Sequence, residues 1–426
     1  MNSFWRIFSL ELIGFVRSKT LAMLTVASIV WMFALPRLVH GDGTAEGLRE
    51  LDVRYSLGGV LVLLVISLLA SATGSLARER AEKRLQLTLV RPVRYAAIVL
   101  AKALAHVVVG AAVLAVAVVI LACRADCARP CAHVLKPLLP SPREEAKEMY
   151  AAFMADPETP PAVKRTKKAI VLRLLENKAL DHYQTIPTNA TATWTFADPA
   201  LATAEGLSVR MRFSTAFNSR EEVRGVFTIG DWTAAVSNIT QAILTVPLAR
   251  EFRFGTGYKP MTPDSELAFH NQGRNPLMLR PRKDIDLLLP ADSFAANLLR
   301  AYVLLVVILA LVVAFGLFLS ASLGRPVALF VAIVTVLVGE MSPSVIEQYP
   351  DELETKLSDR IGLVLTRFAA EVTRPVTTLN PLERLSLDEC VEPSTVLRAV
   401  AFDGLLLPVV LAVLAGFVLP RKQEDQ

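Results

Sequence analysis

The stretch "CRADCARPCAH" sets Cys123, Cys127 and Cys131 four residues apart with His133 just beyond, and Cys390 is the remaining cysteine. Thiols at i, i+4 and i+8 would share one helix face, and three sulfurs with one imidazole suit a soft metal. Pro130 breaks such a helix, however, and the spacing is no standard metal signature, so no metal site is assigned. The preferred reading is oxidative or inert, because four cysteines in an oxidising compartment permit up to two disulfides. No nucleophile, base and orienting group recur at a catalytic spacing, and no enzymatic activity is expected. His106, Glu340 and Asp403 interrupt apolar runs, where an ionisable group is a functional candidate by default. His106 reads as a neutral imidazole bonded to a neighbouring helix. Glu340 and Asp403 fall near helix ends, where a carboxylate reaches water cheaply.

A second chemically dense stretch is "RERAEKRLQLTLVRPVRYAAIVLAK", residues 78 to 102, with seven positive charges ahead of and inside an apolar helix. An amphipathic helix from Ala77 to about Val90 carries Leu85 and Leu89 on one side and is stopped by Pro92. From charge alone this would be a solvated loop.

The elements that must hold these residues follow from composition. A chain of 426 residues with 53% hydrophobic and 20% charged residues, and a mean hydropathy of +0.45, is too apolar for a soluble protein. The net charge of +5 is modest, and no basic run carries a nucleic-acid-binding module, so nucleic acid is excluded as a partner. A hydrocarbon core of about 30 Å needs roughly 20 helical residues. Six stretches qualify: Thr20 to Pro36, Leu57 to Leu76, about Ile98 to Cys123, Ala301 to Leu323, Pro326 to about Ile346, and Ala399 to Pro420. Arg17 and Lys19, the cluster from Arg78 to Arg94, Arg325, and Arg421 with Lys422 all fall on one side if both termini are cytoplasmic.

Ahead of the first span, Trp5, Phe8, Leu12 and Phe15 recur at helical spacing opposite Asn2, Arg6, Ser9 and Arg17, as in a helix lying at a membrane interface. Residues 143 to 183 are rich in helix formers, and Pro160 and Pro161 divide them into two short helices. The period then changes to two. Leu207, Val209, Met211 and Phe213 alternate with Ser208, Arg210 and Arg212, and "VRGVFTIGDW", "QAILTVPL", "SELAFHNQ" and "IDLLLP" supply further strands.

The expected fold is therefore mainly α, a six-helix transmembrane bundle with a large α+β, β-sandwich-like extracytoplasmic insertion between spans three and four. Its parts are an interfacial helix (1–19), spans one to three (20–123) with a cytoplasmic elbow (77–94), and an extracytoplasmic domain (124–296). Spans four and five (297–346), a second extracytoplasmic segment with a partly re-entrant path (347–397), and span six with a cytoplasmic tail (398–426) complete it. The expected location is the inner membrane.

Within this layout "RERAEKRLQLTLVRPVRYAAIVLAKAL" resembles the segment after the second span in permease subunits of type-2 ATP-binding-cassette exporters. Those show a Glu, a Thr-Leu or Leu-Leu run, Pro-Val, and a Lys about ten residues on; Glu79 or Glu82, Leu87, Thr88, Leu89, Pro92, Val93 and Lys102 match. The interfacial helix and six spans also fit, whereas residues 124 to 296 stand where common members have a short loop. The resemblance implies that the elbow, through Glu79, Glu82, Arg84, Leu85, Thr88, Leu89 and Pro92, docks on a separate cytoplasmic ATPase subunit. No G-x-x-x-x-G-K-[ST] loop occurs in the chain, so ATP and its Mg belong to that partner and this chain carries no cofactor. It further implies a second permease copy, as homodimer or heterodimer, membrane lipid around the spans, and export of a substrate the sequence does not identify. The large outer region leaves a mechanical alternative open, in which the chain moves that region or a periplasmic partner without transport.

Overall fold

The computed structural model describes residues 3–39, 45–82, 94–125, 129–157, 168–180, 182–215, 222–239, 243–250, 261–348 and 357–424. The chain forms two compact units, one of Met1–Arg129 with Ser293–Gln426 and one of Pro130–Asp292.

The first unit is helical. Helices α1 (Ser3–Arg17), α2 (Thr20–Leu38) and the short α3 (Ala45–Glu50) lead through a π-helical stretch, Leu51–Leu57, into α4 (Gly58–Ala81), and α5 (Tyr95–Arg124) follows. After the second unit come α9 (Phe294–Ser322), α10 (Arg325–Gln348), α11 (Leu357–Leu379), the short α12 (Leu382–Ser386) and α13 (Pro393–Arg398). A second π-helical stretch, Ala399–Leu406, then enters α14 (Leu407–Glu424). The most apolar of these, α9, lies at the centre and packs against α4, α5, α10 and α14. Bare backbone allows the close approaches: a Cβ on Gly110 would lie 2.7 Å from Leu68 Cδ1, and one on Gly316 would lie 3.1 Å from Ala72 Cβ.

Among the described residues five helices are long and apolar enough to cross a membrane: Thr20–Leu38, Leu51–Ala81, Tyr95–Arg124, Phe294–Ser322 and Pro393–Val418. Over the expected fifth span α10 forms, and Arg325–Val338 is an apolar helical stretch; the side chains beyond it lie outside the described residues. The second expected span starts earlier, since the π-helical stretch Leu51–Leu57 extends it at its N-terminal side, and the sixth starts earlier because α13 runs straight into the second π-helical stretch. Asp403 lies half-buried in the second of these. The described residues within 347–397 are largely helical, and α11 packs on α10 and α9.

The second unit begins and ends a few residues inside the expected 124–296, because α5 runs on to Arg124 and α9 starts at Phe294. Its helices α6 (Pro142–Ala155) and α7 (Lys168–Leu180) fall on either side of the proline pair and pack together. Ser141 starts α6 with a capping box closed by Glu144. Two further helical turns are short, a 3-10 turn at Pro199–Thr203 and α8 (Pro281–Asp284). The strands are β1 (Pro130–Leu135), β2 (Gln184–Ile186), β3 (Thr191–Ala197), β4 (Ser208–Met211), β5 (Ser214–Thr215), β6 (Glu222–Ile229), β7 (Trp232–Ile239), β8 (Leu244–Pro247), β9 (Ala249–Arg250), β10 (Asp264–Asn271), β11 (Leu277–Leu279) and β12 (Ile285–Ser293). They form sheets ordered β1-β12-β4-β8, β3-β10-β6-β7-β9 and β2-β11-β5. The inward residues of these sheets share one core in which Phe213, Phe227 and Phe269 meet, the last two at 4.7 Å between ring centres.

One strand departs from simple alternation. Arg210, expected to face outward between Val209 and Met211, is buried and donates from Nε (3.1 Å) and Nη2 (2.7 Å) to Asp286, its register partner on β12. Lys136 bonds the other Asp286 oxygen. A buried guanidinium is tolerated only with such a partner.

Candidate functional site

Lys102 lies two turns inside α5 and is 2% exposed, so its ammonium must find acceptors within the protein. It has three. Nζ donates to Glu11 Oε2 at 2.9 Å, to Glu79 Oε1 at 2.8 Å and to Ser75 Oγ at 3.0 Å, which uses all three ammonium protons. Ser75 in turn donates to Glu11 Oε1 at 3.2 Å. Glu11 comes from α1, Ser75 and Glu79 from α4, and Lys102 from α5, so one cation ties three helices together. The bonds are charge-assisted and stronger than neutral ones.

Local sequence explains how each group arrives. Glu79 and Ser75 are four apart on α4 and therefore share a face. On α1 the inward stripe is Ile7, Glu11 and Phe15, again spaced by four, so the carboxylate sits within an apolar row. Trp5, placed on the same side from sequence, is half exposed, and Phe15 is buried. Burial, the largest single influence, works to raise the Glu11 carboxyl, but the charge and hydrogen bond of Lys102, with His106 and Ser75, together hold it below its ordinary value of 4.5.

One turn further along α5, His106 is fully buried and meets the edge of Phe15 with ring centres 4.8 Å apart. Its Nδ1 lies 2.8 Å from the Lys102 carbonyl, which can only accept, so Nδ1 carries the proton. Nε2 then accepts from Ser71 Oγ on α4 at 3.1 Å. The sequence reading of His106 as bonded to a neighbouring helix matches this arrangement.

Of the elbow residues, Glu79 is in the tie and Glu82 follows the end of α4 with its own interaction. Arg84, Leu85, Thr88, Leu89 and Pro92 lie outside the described residues, as does the amphipathic helix expected there beyond Ala81. The side chain of Glu340 is likewise outside them. Glu11, Ser75 and Ser71 escape sequence reasoning. The available signal for Glu11 is a single carboxylate in the apolar stripe of an otherwise uncomplicated amphipathic helix.

The cysteines separate. Cys131 and Cys390 are both disulfide-bonded, while Cys123 is a free, exposed thiol, and Cys127 is outside the described residues. The shared helical face does not form, because α5 ends at Arg124 and Cys131 lies on β1. His133 faces Asp198 at 3.7 Å instead. Among the described residues no three His, Cys, Asp or Glu side chains are placed to hold a metal ion.

The apolar helices with a charged tie between them are consistent with an integral membrane protein that is mainly helical and carries some sheet. No protein family, curated protein or solved structure matches the chain.

Proposed function

We propose that this chain is the membrane-spanning permease subunit of an ATP-binding-cassette transporter, coupling ATP hydrolysis on a separate cytoplasmic ATPase subunit to export of a substrate. The observation that carries the reading is the Glu11–Lys102–Glu79 tie. In the resemblance set out above, the elbow includes Glu79 and receives movement from the ATPase. A displacement of the end of α4 is passed directly to α1 and α5, because all three share the Lys102 ammonium. Such a shared element, with two packings biased by a ligand on another subunit, is what conformational coupling requires. The proposed arrangement is a six-helix bundle in the inner membrane, paired with a second permease copy, both termini cytoplasmic and residues 124–296 outside. No catalysis and no cofactor is assigned to the chain.

The separate second unit favours one other reading, a mechanical subunit that moves this unit or a periplasmic partner without passing a substrate. ATP-dependent flux by the reconstituted complex supports export. ATPase activity altered by an outer partner with no flux supports the mechanical role. The docking elbow is tested by replacing Leu85 and Leu89 with Asp, which would bury carboxylates in the ATPase groove. Recovery of ATPase with tagged permease should fall at least about tenfold, since roughly 1.4 kcal/mol is one decade. Undiminished recovery of the ATPase would refute the docking role of this segment.

A further inference from the structure

The last turn of α4 sorts its charges. Glu79 turns toward Lys102, while Ala77, Arg78, Arg80 and Ala81 line an open cavity of about 380 Å³ whose other described lining residues are Gly324 and Arg325 at the start of α10. Three of its six described lining residues are arginines and none is a carboxylate. The arginines differ in what already holds them. Arg80 caps the end of α9, donating from Nη1 to the Ala321 carbonyl (2.9 Å) and from Nη2 to those of Ser320 and Leu323 (3.0 Å each). Two of its five N–H groups are left over among the described residues. Arg78 and Arg325 are exposed, and their side chains have no ion pair or hydrogen bond among the described residues. Arg325 is seated across the bare backbone of Gly74, where a Cβ would come within 3.2 Å of its Nε.

Like charges gathered in one concavity repel unless an anion joins them, and planar guanidinium groups match the oxygens of a phosphate. The level of the cavity narrows the choice. Candidate spans end at Ala81 and Ser322, and α10 begins at Arg325, so the arginines stand at the ends of apolar helices where lipid headgroups lie. We infer that this cavity binds a phosphate group, most naturally the headgroup of an anionic phospholipid. The inference uses only the membrane character of the helices and does not depend on the transport reading.

The test uses the full chain purified in detergent and transferred to bilayer discs of phosphatidylcholine alone or with phosphatidylglycerol, with retained lipids counted by native mass spectrometry. Wild type should retain phosphatidylglycerol over phosphatidylcholine. Arg78→Gln with Arg325→Gln should weaken that retention roughly thirtyfold, from about fivefold per arginine at a membrane surface. Arg80 is left in place because it caps α9. In a second arm, inorganic phosphate is titrated onto delipidated protein and heat stability is read. Stabilisation that the double variant loses, without lipid preference, would assign the same site to free phosphate. Equal phosphatidylglycerol retention by wild type and variant overturns the proposal, as does absence of both lipid preference and phosphate stabilisation in wild type. The wild-type arms stand even if the variant does not fold, and each single substitution then supplies the comparison.

Discussion

Replacing Lys102 with Met removes the one cation that three helices share and keeps the length and apolar stem of the side chain. The Glu11 and Glu79 carboxylates would then face each other without a counter-charge, at a site where the lysine side chain is 3% exposed. Removing one partner of a buried ion pair costs about 3 to 5 kcal/mol. The carboxylates keep 22% and 31% of their side-chain surface, so water reaches them and the expected cost is near the lower end, about 3 kcal/mol. Denaturant unfolding of the detergent-solubilised chain, followed by far-UV ellipticity, would report chiefly on the helical unit. The sign of the second substitution is the stronger test. Glu11→Gln alone should destabilise, but in the Lys102→Met background it should stabilise, because it removes a like-charge repulsion. The resulting coupling energy should be about 1 kcal/mol or more. The triple variant with Gln at 11 and 79 and Met at 102 should regain most of the stability, as neutral replacements of buried ion pairs do. If the chain is the permease subunit proposed above and the tie transmits movement, that folded triple variant should bind the proposed ATPase without altering ATPase activity. A Lys102→Met protein within about 0.5 kcal/mol of wild type, or additive effects of Lys102 and Glu11, would refute the shared-cation reasoning.

The tie also sets a pH dependence. Glu11 is held below 4.5 in the folded chain by Lys102, with Glu79, His106 and Ser75 as its other neighbours, so the folded state binds fewer protons than the unfolded one below that value. Its contribution is complete above pH 4.5 and is lost as pH falls through the lowered value, so Glu11→Gln should flatten the acid limb of a stability profile and leave its neutral limb parallel to wild type. In the second unit, Asp286→Asn leaves Arg210 buried without its carboxylate and should cost about 3 to 5 kcal/mol, read from the fluorescence of Trp194 and Trp232 in that core. Alkylation of the unreduced protein followed by peptide mapping should modify Cys123 and spare Cys131 and Cys390, and reduction should lower stability by about 2 to 5 kcal/mol.

Much of the fold is legible without coordinates because the forces behind it are local. A membrane span must be apolar over some 20 consecutive residues, so the stretches around residues 20–36, 57–76, 98–123 and 301–323 identify themselves, and helices form over each. The alternation of Leu207, Val209 and Met211 forecasts a strand because side chains in an extended chain point to opposite faces. Helix formers over residues 143 to 183, divided by Pro160 and Pro161, forecast two helices because proline acts locally, and α6 and α7 form on either side. What periodicity does not contain is which polar groups meet after folding. Lys102 bonds Glu11 across 91 positions and Glu79 across 23, and Arg210 enters a core because Asp286 stands opposite, 76 positions on. Arg80 caps a helix that begins more than two hundred residues later, and Cys131 and Cys390 rather than Cys123 are oxidised. Each of these outcomes rests on a partner brought near by the packing of other elements. The sequence by itself determines where helices and strands form, since hydrophobic period and capping act within a few residues. The tertiary structure alone decides the charge pairs, because desolvation makes a buried ion tolerable only where distant chain supplies its counter-charge.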